Sequence, residues 1–190
     1  MGRIEMSPGI YMSPLPVCLV TSGTADAPDV CTVAWTGVAC SKPPRVYISL
    51  MPSRLTHQKI DENGEFVINL VSRSLVRAAD FCGVRSGRDV DKFKEAHLTP
   101  VSSLAVAPPT IDESPLSIEC RVFNRLELGS HDMFLADVVA ATAREELFDE
   151  SGKLRYGRAD LASYSHGDYV ELGRSLGGFG FSVRKSGNRH

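Results

Sequence analysis

The segment SRLT places three potential phosphate ligands, Ser53, Arg54 and Thr56, at the start of a predicted helix. Ser53 has the residue type of an N-cap, and the helix is expected to cover about 54–62. Helix N-termini present unpaired N–H groups and a partial positive charge, which suit a phosphate. The same segment also fits an ordinary cap followed by a solvated arginine, and on this motif alone we favour that simpler interpretation.

Two further segments have residue types that suit a planar or anionic ligand. The run TVAWTG (32–37) has the small residues Ala34 and Gly37 inside a strand, which lets a flat ligand approach the backbone. Trp35 is the only tryptophan of the chain, and a tryptophan in a strand more often belongs to a core or an interface. The run FCGVRSGRDVDKF (81–93) has glycines and basic residues that could close over an anion, although a solvated loop has the same composition.

A third candidate is His131, in the segment RLELGSHDMFLADVV. Alternating residues on both sides of Gly129-Ser130 predict a β-hairpin, whose turn needs glycine and not histidine. A single histidine beside a turn is usually a surface residue, and in isolation we favour that interpretation. The alternative is that His131 takes part in chemistry.

Other catalytic motifs are missing from the sequence. There is no phosphate-binding loop, zinc-protease motif or nucleophile elbow. The glycine-rich run LGGFGF (176–181) lacks a strand-turn-helix context, so we interpret it as a structural turn. The five histidines show no metal-ligand spacing, which argues against a metal centre.

Composition limits the classes of partner. The net charge of −2 gives no basic surplus for a nucleic acid or a membrane surface, and the basic run at the end, SVRKSGNRH, is expected to be solvated. No apolar run approaches the ~20 residues that span a bilayer. The N-terminal segment has Glu5 and several prolines where a signal peptide would be apolar. We therefore expect a cytoplasmic protein with one domain over 1–190.

The cysteines fit the same compartment. Their number is odd, none forms a C-x-x-C pair, and four lie among apolar neighbours, as buried thiols do in a reducing cytoplasm. They are Cys18, Cys31, Cys40, Cys82 and Cys120.

The order of the predicted elements favours an antiparallel barrel or sandwich, because strands follow one another and helices are inserted between them. Strands are predicted over 16–23, 30–40, 45–51, 65–71, 118–128 and 133–145. A helical pattern covers 72–99, with interruptions. In the longest strand, one face is expected to carry Ile118, Cys120, Val122, Leu126 and Leu128, and the other Glu119, Arg121, Arg125 and Glu127.

Six motifs in order resemble the flavin reductase-like family of FMN-binding split barrels, which includes flavoredoxin and NAD(P)H:flavin oxidoreductases. The motifs are TVAWTGVACSKPPRVYISL, GEFVINL, DFCGVRSGRDVDKF, SPLSIEC, LGSHDMFLADV and YSHGDYVELG. The resemblance covers nearly the whole chain. It implies a mainly β fold with peripheral helices, an antiparallel Greek-key split barrel that works as a homodimer.

The resemblance also implies the cofactor and its contacts. FMN is expected as cofactor and NAD(P)H as reductant, with His131 near the flavin and the nicotinamide and Asp132 orienting the strand or the imidazole. The implied FMN contacts are Val33, Ala34, Trp35, Thr36 and Gly37 at the ring edge, Ser53, Arg54 and Thr56 at the phosphate, and Asn69, Leu70, Val71, Cys82, Gly83, Ser86, Arg88 and Lys92 around the remainder. The bulky Trp35 departs from many flavin reductases, which have a small residue there.

The predicted activity is therefore hydride transfer from NAD(P)H to FMN, followed by electron transfer to an acceptor. Since the cofactor carries this chemistry, the lack of catalytic motifs agrees with it. No cysteine is expected to be essential, with Cys82 exempted because it lies near the implied FMN site. Two alternatives stay open: an FMN electron carrier of the flavoredoxin type without efficient NAD(P)H turnover, and a flavin-binding module that is not an enzyme.

Overall fold

The main sheet of the protein has seven strands, all paired antiparallel, in the order β3-β2-β6-β9-β10-β5-β4. The computed structural model describes residues 2–183, so most of the basic run at the end lies outside the described residues. The strands in this range are β1 (Leu15–Pro16), β2 (Cys18–Gly23), β3 (Pro28–Val33), β4 (Thr36–Ser41), β5 (Pro44–Leu50), β6 (Glu65–Leu70), β7 (Pro100–Val101), β8 (Thr110–Ile111), β9 (Leu116–Glu127), β10 (Asp132–Ala143), β11 (Ala162–Ser165) and β12 (Asp168–Glu171). The α-helices are α1 (Leu55–Asn63), α2 (Val76–Val84) and α3 (Lys92–Glu95).

The sheet curls because its two edge strands are consecutive in the chain. Only Ala34 and Trp35 separate β3 from β4, so the two strand ends lie within about 11 Å, the reach of three residue steps. The Trp35 carbonyl accepts a hydrogen bond of 2.8 Å from the Ser49 N–H, which continues the pairing of β4 with β5 by one residue. The predicted mainly β, antiparallel Greek-key split barrel is confirmed. The prediction of one strand over 30–40 is wrong, since this turn divides it.

Two cores lie on opposite faces of the sheet, and alternate residues of β2 belong to each. Cys18 and Val20 face a core inside the curl, together with side chains of β5 and β10. Val17 and Leu19 face the other core, which α2 covers. Strands that are buried on both faces lack polar alternation, which is why this part of the sequence reads as continuous apolar runs.

Helix α1 ends where the sequence predicts and begins one residue later. Gly64 adopts a left-handed conformation with φ of +72°, and its N–H donates to the Ile60 carbonyl at 2.8 Å. Glycine adopts this conformation without the steric cost that a Cβ brings. At the other end Arg54, not Ser53, is the N-cap residue, and no side chain caps the helix. The prediction of Ser53 as N-cap is therefore wrong.

The β9–β10 hairpin is confirmed, but the predicted alternation along β9 holds only in part. Glu119 was expected to face outward and is fully buried, because its carboxylate accepts hydrogen bonds from the N–H groups of Leu104 and Ala105 at 2.8 and 2.6 Å. A bulge at Phe123 then shifts the register of the strand. Beyond the bulge Leu126 is exposed, against the prediction.

Among residues 2–183, no helix has both the length and the apolar character needed to cross a lipid bilayer. In the same range no three His, Cys, Asp or Glu side chains come together as ligands for a metal ion.

Candidate functional site

A cleft opens between the start of α1 and the loop that joins α2 to α3. It brings together six residues that the sequence analysis assigned to FMN: Ser53, Arg54, Thr56, Ser86, Arg88 and Lys92. The remaining lining residues are Cys31, Met51, Leu55, Arg85 and Gly87. The hydroxyl and guanidinium groups of the SRLT segment thus share one cleft with the basic loop, as the resemblance implies.

The cleft is basic and has no carboxylate among its lining residues. Four of those residues are Arg54, Arg85, Arg88 and Lys92. Neither the Arg54 nor the Arg85 guanidinium makes a hydrogen bond or an ion pair with any residue in 2–183. The first turn of α1, which lines the cleft, contains no acidic residue and no side-chain cap, so its N–H groups have no side-chain partner. This arrangement is suited to an anion with several oxygen acceptors.

A buried cluster of polar groups forms the back wall of the cleft. The Thr56 hydroxyl donates to Asp29 Oδ2 at 2.5 Å, and the Lys92 ammonium lies 3.7 Å from Asp29 Oδ1. Both charged side chains are almost fully buried, at 4% and 3% exposed. Gly87 packs so closely against Asp29 that a Cβ would overlap the carboxylate. A larger residue at 87 would therefore disrupt the wall.

Arg88 fastens the loop to the helix. Its guanidinium donates to the Ser53 carbonyl at 2.9 Å and to Gln58 Oε1 at 3.2 Å. The Ser86 hydroxyl accepts from the Arg88 N–H at 3.2 Å. The position of the basic loop is thus set by contacts with α1, the element that carries the SRLT segment.

His131 does not line the cleft but lies close enough to Arg54 for the two charges to interact, and its ring contacts Trp35, with the two ring centroids 4.2 Å apart. Its Nδ1 is 3.0 Å from the Ser130 hydroxyl. Burial lowers the pKa of His131, the positive charge of Arg54 lowers that pKa further, and Asp132 acts in the opposite direction. The imidazole is therefore neutral at pH 7, and its interaction with Arg54 places it beside the anion site.

The carboxylate of Asp132 does not pair with the neighbouring His131 ring. It lies 2.8 Å from Nε2 of His57, a buried histidine in the first turn of α1. The sequence analysis missed His57, because nothing in the sequence next to Thr56 distinguishes it from a helix surface residue. Arg85 and Gly87 line the cleft as well, and both belong to the run 81–93, whose glycines and basic residues were expected as groups that could close over an anion.

The ring-edge candidates at 33–37 do not form a single exposed row. Val33 is buried in the core inside the curl, and the Thr36 hydroxyl donates to the Tyr47 carbonyl at 2.7 Å. Gly37 is covered by the Tyr47 ring, whose Cε1 would lie 3.0 Å from an added Cβ. Trp35 is partly exposed and points toward His131.

Ala34 lies instead in a second cleft, on the other face of the end of β3. Gly83 lines this second cleft as well, together with Tyr164, Tyr169 and Asp80. The Tyr164 and Tyr169 rings meet edge to face with their centroids 5.4 Å apart. The structure therefore separates Ala34 and Gly83 from the basic cleft, with β3 and the end of α2 as the shared wall.

Four further candidates do not line the basic cleft. The Asn69 amide is fully buried and is used by the protein itself, since it donates to the Leu19 carbonyl at 3.0 Å and accepts from Ser117 at 2.7 Å. Leu70 packs against the core inside the curl, and Val71 and Cys82 are buried in the core that α2 covers. Of these, Cys82 comes nearest to the cleft, because its carbonyl accepts from Lys92 at 3.4 Å.

A family model described as flavin reductase like domain matches residues 10–173 of the chain. An uncharacterized protein of Pyrococcus abyssi is 34% identical over 157 residues, which cover 83% of this chain and 90% of the relative. The solved structure of flavoredoxin of Desulfovibrio vulgaris (Miyazaki F) aligns with a TM-score of 0.89 and 28% identity, and covers 96% of this chain and 100% of its own. For flavoredoxin from Methanosarcina acetivorans the TM-score is 0.87 at 25% identity, with 97% and 100% covered. The chain therefore belongs to the flavin reductase-like family.

Proposed function

We propose that the protein is an FMN-dependent oxidoreductase that accepts hydride from NAD(P)H and passes electrons to an acceptor. The observation that carries the proposal is the basic cleft, where four cationic side chains meet the uncapped start of α1 and only Lys92 is paired with a carboxylate, that of Asp29. A phosphate monoester carries close to two negative charges at pH 7 and three strong acceptor oxygens. The charge and the donors of the cleft fit the phosphate end of FMN.

In this proposal each group of residues has a distinct task. Bound FMN supplies the hydride acceptor, so the protein needs no strong acid or nucleophile of its own. Arg54 and Arg85, which have no other partner in residues 2–183, bind the phosphate. The neutral His131 ring, held against Trp35, orients the nicotinamide near Arg54 of the cleft.

The experiment that tests the proposal is Arg54→Ala. We expect FMN affinity to fall by about 1.5–3 kcal/mol, the worth of a hydrogen bond to a charged group, or about 10- to 150-fold in Kd. Quenching of flavin fluorescence on titration of the apoprotein gives the Kd directly.

The matched control is Arg77→Ala, which removes the same charge from an exposed position of α2 outside the basic cleft. It should leave the Kd for FMN within error of the unmodified protein. Equal affinities for both variants would remove Arg54 from the phosphate site, and no FMN binding by the unmodified protein would end the proposal.

The similarity to two flavoredoxins favours a second candidate, an FMN electron carrier with little direct NAD(P)H turnover. Steady-state oxidation of NADH and NADPH with excess free FMN separates the two candidates. The reductase predicts saturable turnover with one of the nicotinamides. The carrier predicts tightly held FMN that dithionite reduces while both nicotinamides leave it oxidised.

A further inference from the structure

Two buried carboxylates from different strands hold the first turn of α1. On β3, Asp29 accepts from the Thr56 hydroxyl at 2.5 Å. On β10, Asp132 lies 2.8 Å from His57 Nε2. Because these contacts use adjacent residues of the helix, the start of α1 is fixed both to the back wall of the cleft and to the hairpin that carries His131.

The contact between His57 and Asp132 is well shielded. Both side chains are only 8% exposed, and the His57 ring meets the edge or face of Phe134 with centroids 5.0 Å apart. With a proton on Nε2, the imidazole donates to the carboxylate, whether or not Nδ1 also carries one. A short bond in a site with little water is directional, so it fixes where Asp132 lies.

Asp132 is the first residue of β10, and His131 immediately precedes it in the hairpin turn. The backbone of the turn is held by the Leu128 N–H, which donates to the His131 carbonyl at 3.0 Å. A displacement of Asp132 would therefore move His131, and with it the ring that rests on Trp35.

We infer that His57 is a positioning residue, which holds Asp132 and thereby keeps His131 against Trp35 and near Arg54 of the basic cleft. The expected effect on flavin reduction rests on the proposed function. The expected effect on the contact between His131 and Trp35 does not, because that contact belongs to the protein without cofactor.

Few other charged groups lie near His57, Asp132 and His131. Next to Asp132 lies Arg125 on β9, with Nε 3.9 Å from Oδ2, and Arg125 itself pairs with Asp61 on α1 and Glu127 on β9. The charged groups that act on His131 are Arg54 and Asp132. A change at His57 thus reaches His131 through Asp132 and not through a separate ion pair.

The variants His57→Gln and His57→Asn form a matched pair. The glutamine amide nitrogen can take the place of Nε2 and still donate to Asp132, whereas the asparagine amide is one carbon too short to reach it. His57→Phe is a third variant, which keeps a ring against Phe134 and has no donor. It replaces His57→Asn if that protein does not fold by near-UV circular dichroism.

The first measurement follows Trp35 fluorescence in the protein without cofactor, since this is the only tryptophan of the chain. A protonated imidazole quenches indole emission more strongly than a neutral one, so a pH titration reports the protonation of His131 on the ring. We expect a step below the ordinary histidine pKa in the unmodified protein and in His57→Gln. In His57→Asn the step should be smaller and at higher pH, because a displaced His131 is better solvated.

His131→Ala identifies the titrating group, because it should remove the step. If the step is the same in His57→Asn, His57→Phe and the unmodified protein, His57 does not position His131. The inference is equally overturned if His57→Gln behaves as His57→Asn does.

The second measurement uses the protein loaded with FMN. We expect NAD(P)H to reduce the flavin about 10- to 100-fold more slowly in His57→Asn, the effect of a misplacement of ~1 Å, and His57→Gln to recover most of the rate. Dithionite reduction and FMN affinity should stay as in the unmodified protein. Loss of FMN affinity in step with the rate would instead assign His57 to the fold of the cleft. If the unmodified protein is not reduced by NAD(P)H, the proposed function fails and the Trp35 titration alone decides the inference.

Discussion

Among single residues, His131 combines a lowered pKa with a ring that rests against Trp35. Burial and the nearby Arg54 both lower its pKa below the ordinary value, against the opposite effect of Asp132, so the neutral form is favoured at pH 7. A neutral imidazole can donate one hydrogen bond and accept another, and it does not repel the cationic ring of an oxidised nicotinamide. These properties support the proposed role of His131 in orienting the nicotinamide, without obligatory acid catalysis.

The corresponding prediction is that His131→Ala keeps FMN but is reduced more slowly by NAD(P)H. Dithionite needs no oriented nicotinamide, so it should reduce the variant at the normal rate. Stopped-flow bleaching of the flavin band with each reductant measures both rates. Equal rates with NAD(P)H in the variant and the unmodified protein would make His131 an ordinary turn residue.

The cysteines give a second prediction for single residues. Burial raises the pKa of the Cys18 and Cys82 thiols to about 12 and also raises the pKa values of Cys31 and Cys120. Because the thiolate is the reactive form, these groups should react slowly with a disulfide reagent even at pH 9. Only the partly exposed Cys40 should react fast in the native protein, and Cys40→Ser should remove that phase.

The rate of flavin reduction gives a further test of the buried cysteines. Cys→Ser variants at positions 18, 31 and 120 should still reduce flavin if they fold, since the cofactor carries the electrons. A folded variant of this series that had lost all reduction would contradict the proposed function.

At the scale of elements, the buried pair of Asp29 and Lys92 joins β3 to α3 behind the anion site. Removal of one partner from a buried ion pair leaves an uncompensated charge, which costs about 3–5 kcal/mol. We therefore predict that Lys92→Met lowers the free energy of unfolding by that amount. In the double variant Asp29→Asn with Lys92→Met, the loss should be smaller than the sum of the two single losses.

Urea denaturation of the four proteins measures this coupling. Arg73→Met is the control, because it removes only the exposed pairs of Arg73 with Asp160 and Glu171 and should change stability little. Additive losses in the cycle would show that Asp29 and Lys92 act separately, each through its own packing.

Elements whose structure depends on neighbouring residues in the sequence were predicted from the residue pattern. The hairpin follows from alternation around Gly129, and the end of α1 follows from a glycine that can adopt a positive φ. On residue pattern alone the helix start and the basic loop favoured an ordinary cap and a solvated loop; the family resemblance assigned both to FMN, and the structure brings the two segments together in one cleft. The six ordered motifs were sufficient for the family.

What the sequence did not reveal depends on contacts between distant segments. Glu119 is buried because its carboxylate meets N–H groups of a loop that precedes it by about fifteen residues. The run 30–40 forms two strands, β3 and β4, because these are the opposite edge strands of the curled sheet and a turn at Ala34 and Trp35 joins them. His57 has a role only because Asp132 lies opposite it. In the sequence, Glu119 and His57 do not differ in type or spacing from surface residues of a strand or a helix.

For the whole molecule, we propose that two copies associate. Large apolar side chains of the main sheet are exposed, among them Val38 on β4, at 79%, and Phe123 and Val139 at the bulges of β9 and β10. We propose that a second copy covers Val38, since a partner surface is a common reason for such exposure when the residues form a patch.

The prediction is that the protein sediments with the mass of two chains and that Val38→Asp shifts it toward one. Sedimentation velocity over a range of protein concentrations provides the measurement. The control is Val84→Asp, which places the same charge at an exposed apolar residue at the end of α2. A dimer that tolerates Val38→Asp would assign the interface to another face, and a single chain at all concentrations would contradict the proposal.

The double anchoring of α1 also sets the order in which the protein can be assembled. Asp29 belongs to the third strand of the chain and Asp132 to the tenth, so the helix start is held on both sides only after most of the sequence has been synthesised. During translation, a nascent chain that ends before β10 has the basic loop and the helix but lacks the second anchor and the hairpin with His131. We therefore expect the proposed FMN to bind a nearly finished polypeptide, so that it would stabilise the completed fold and not guide its early steps.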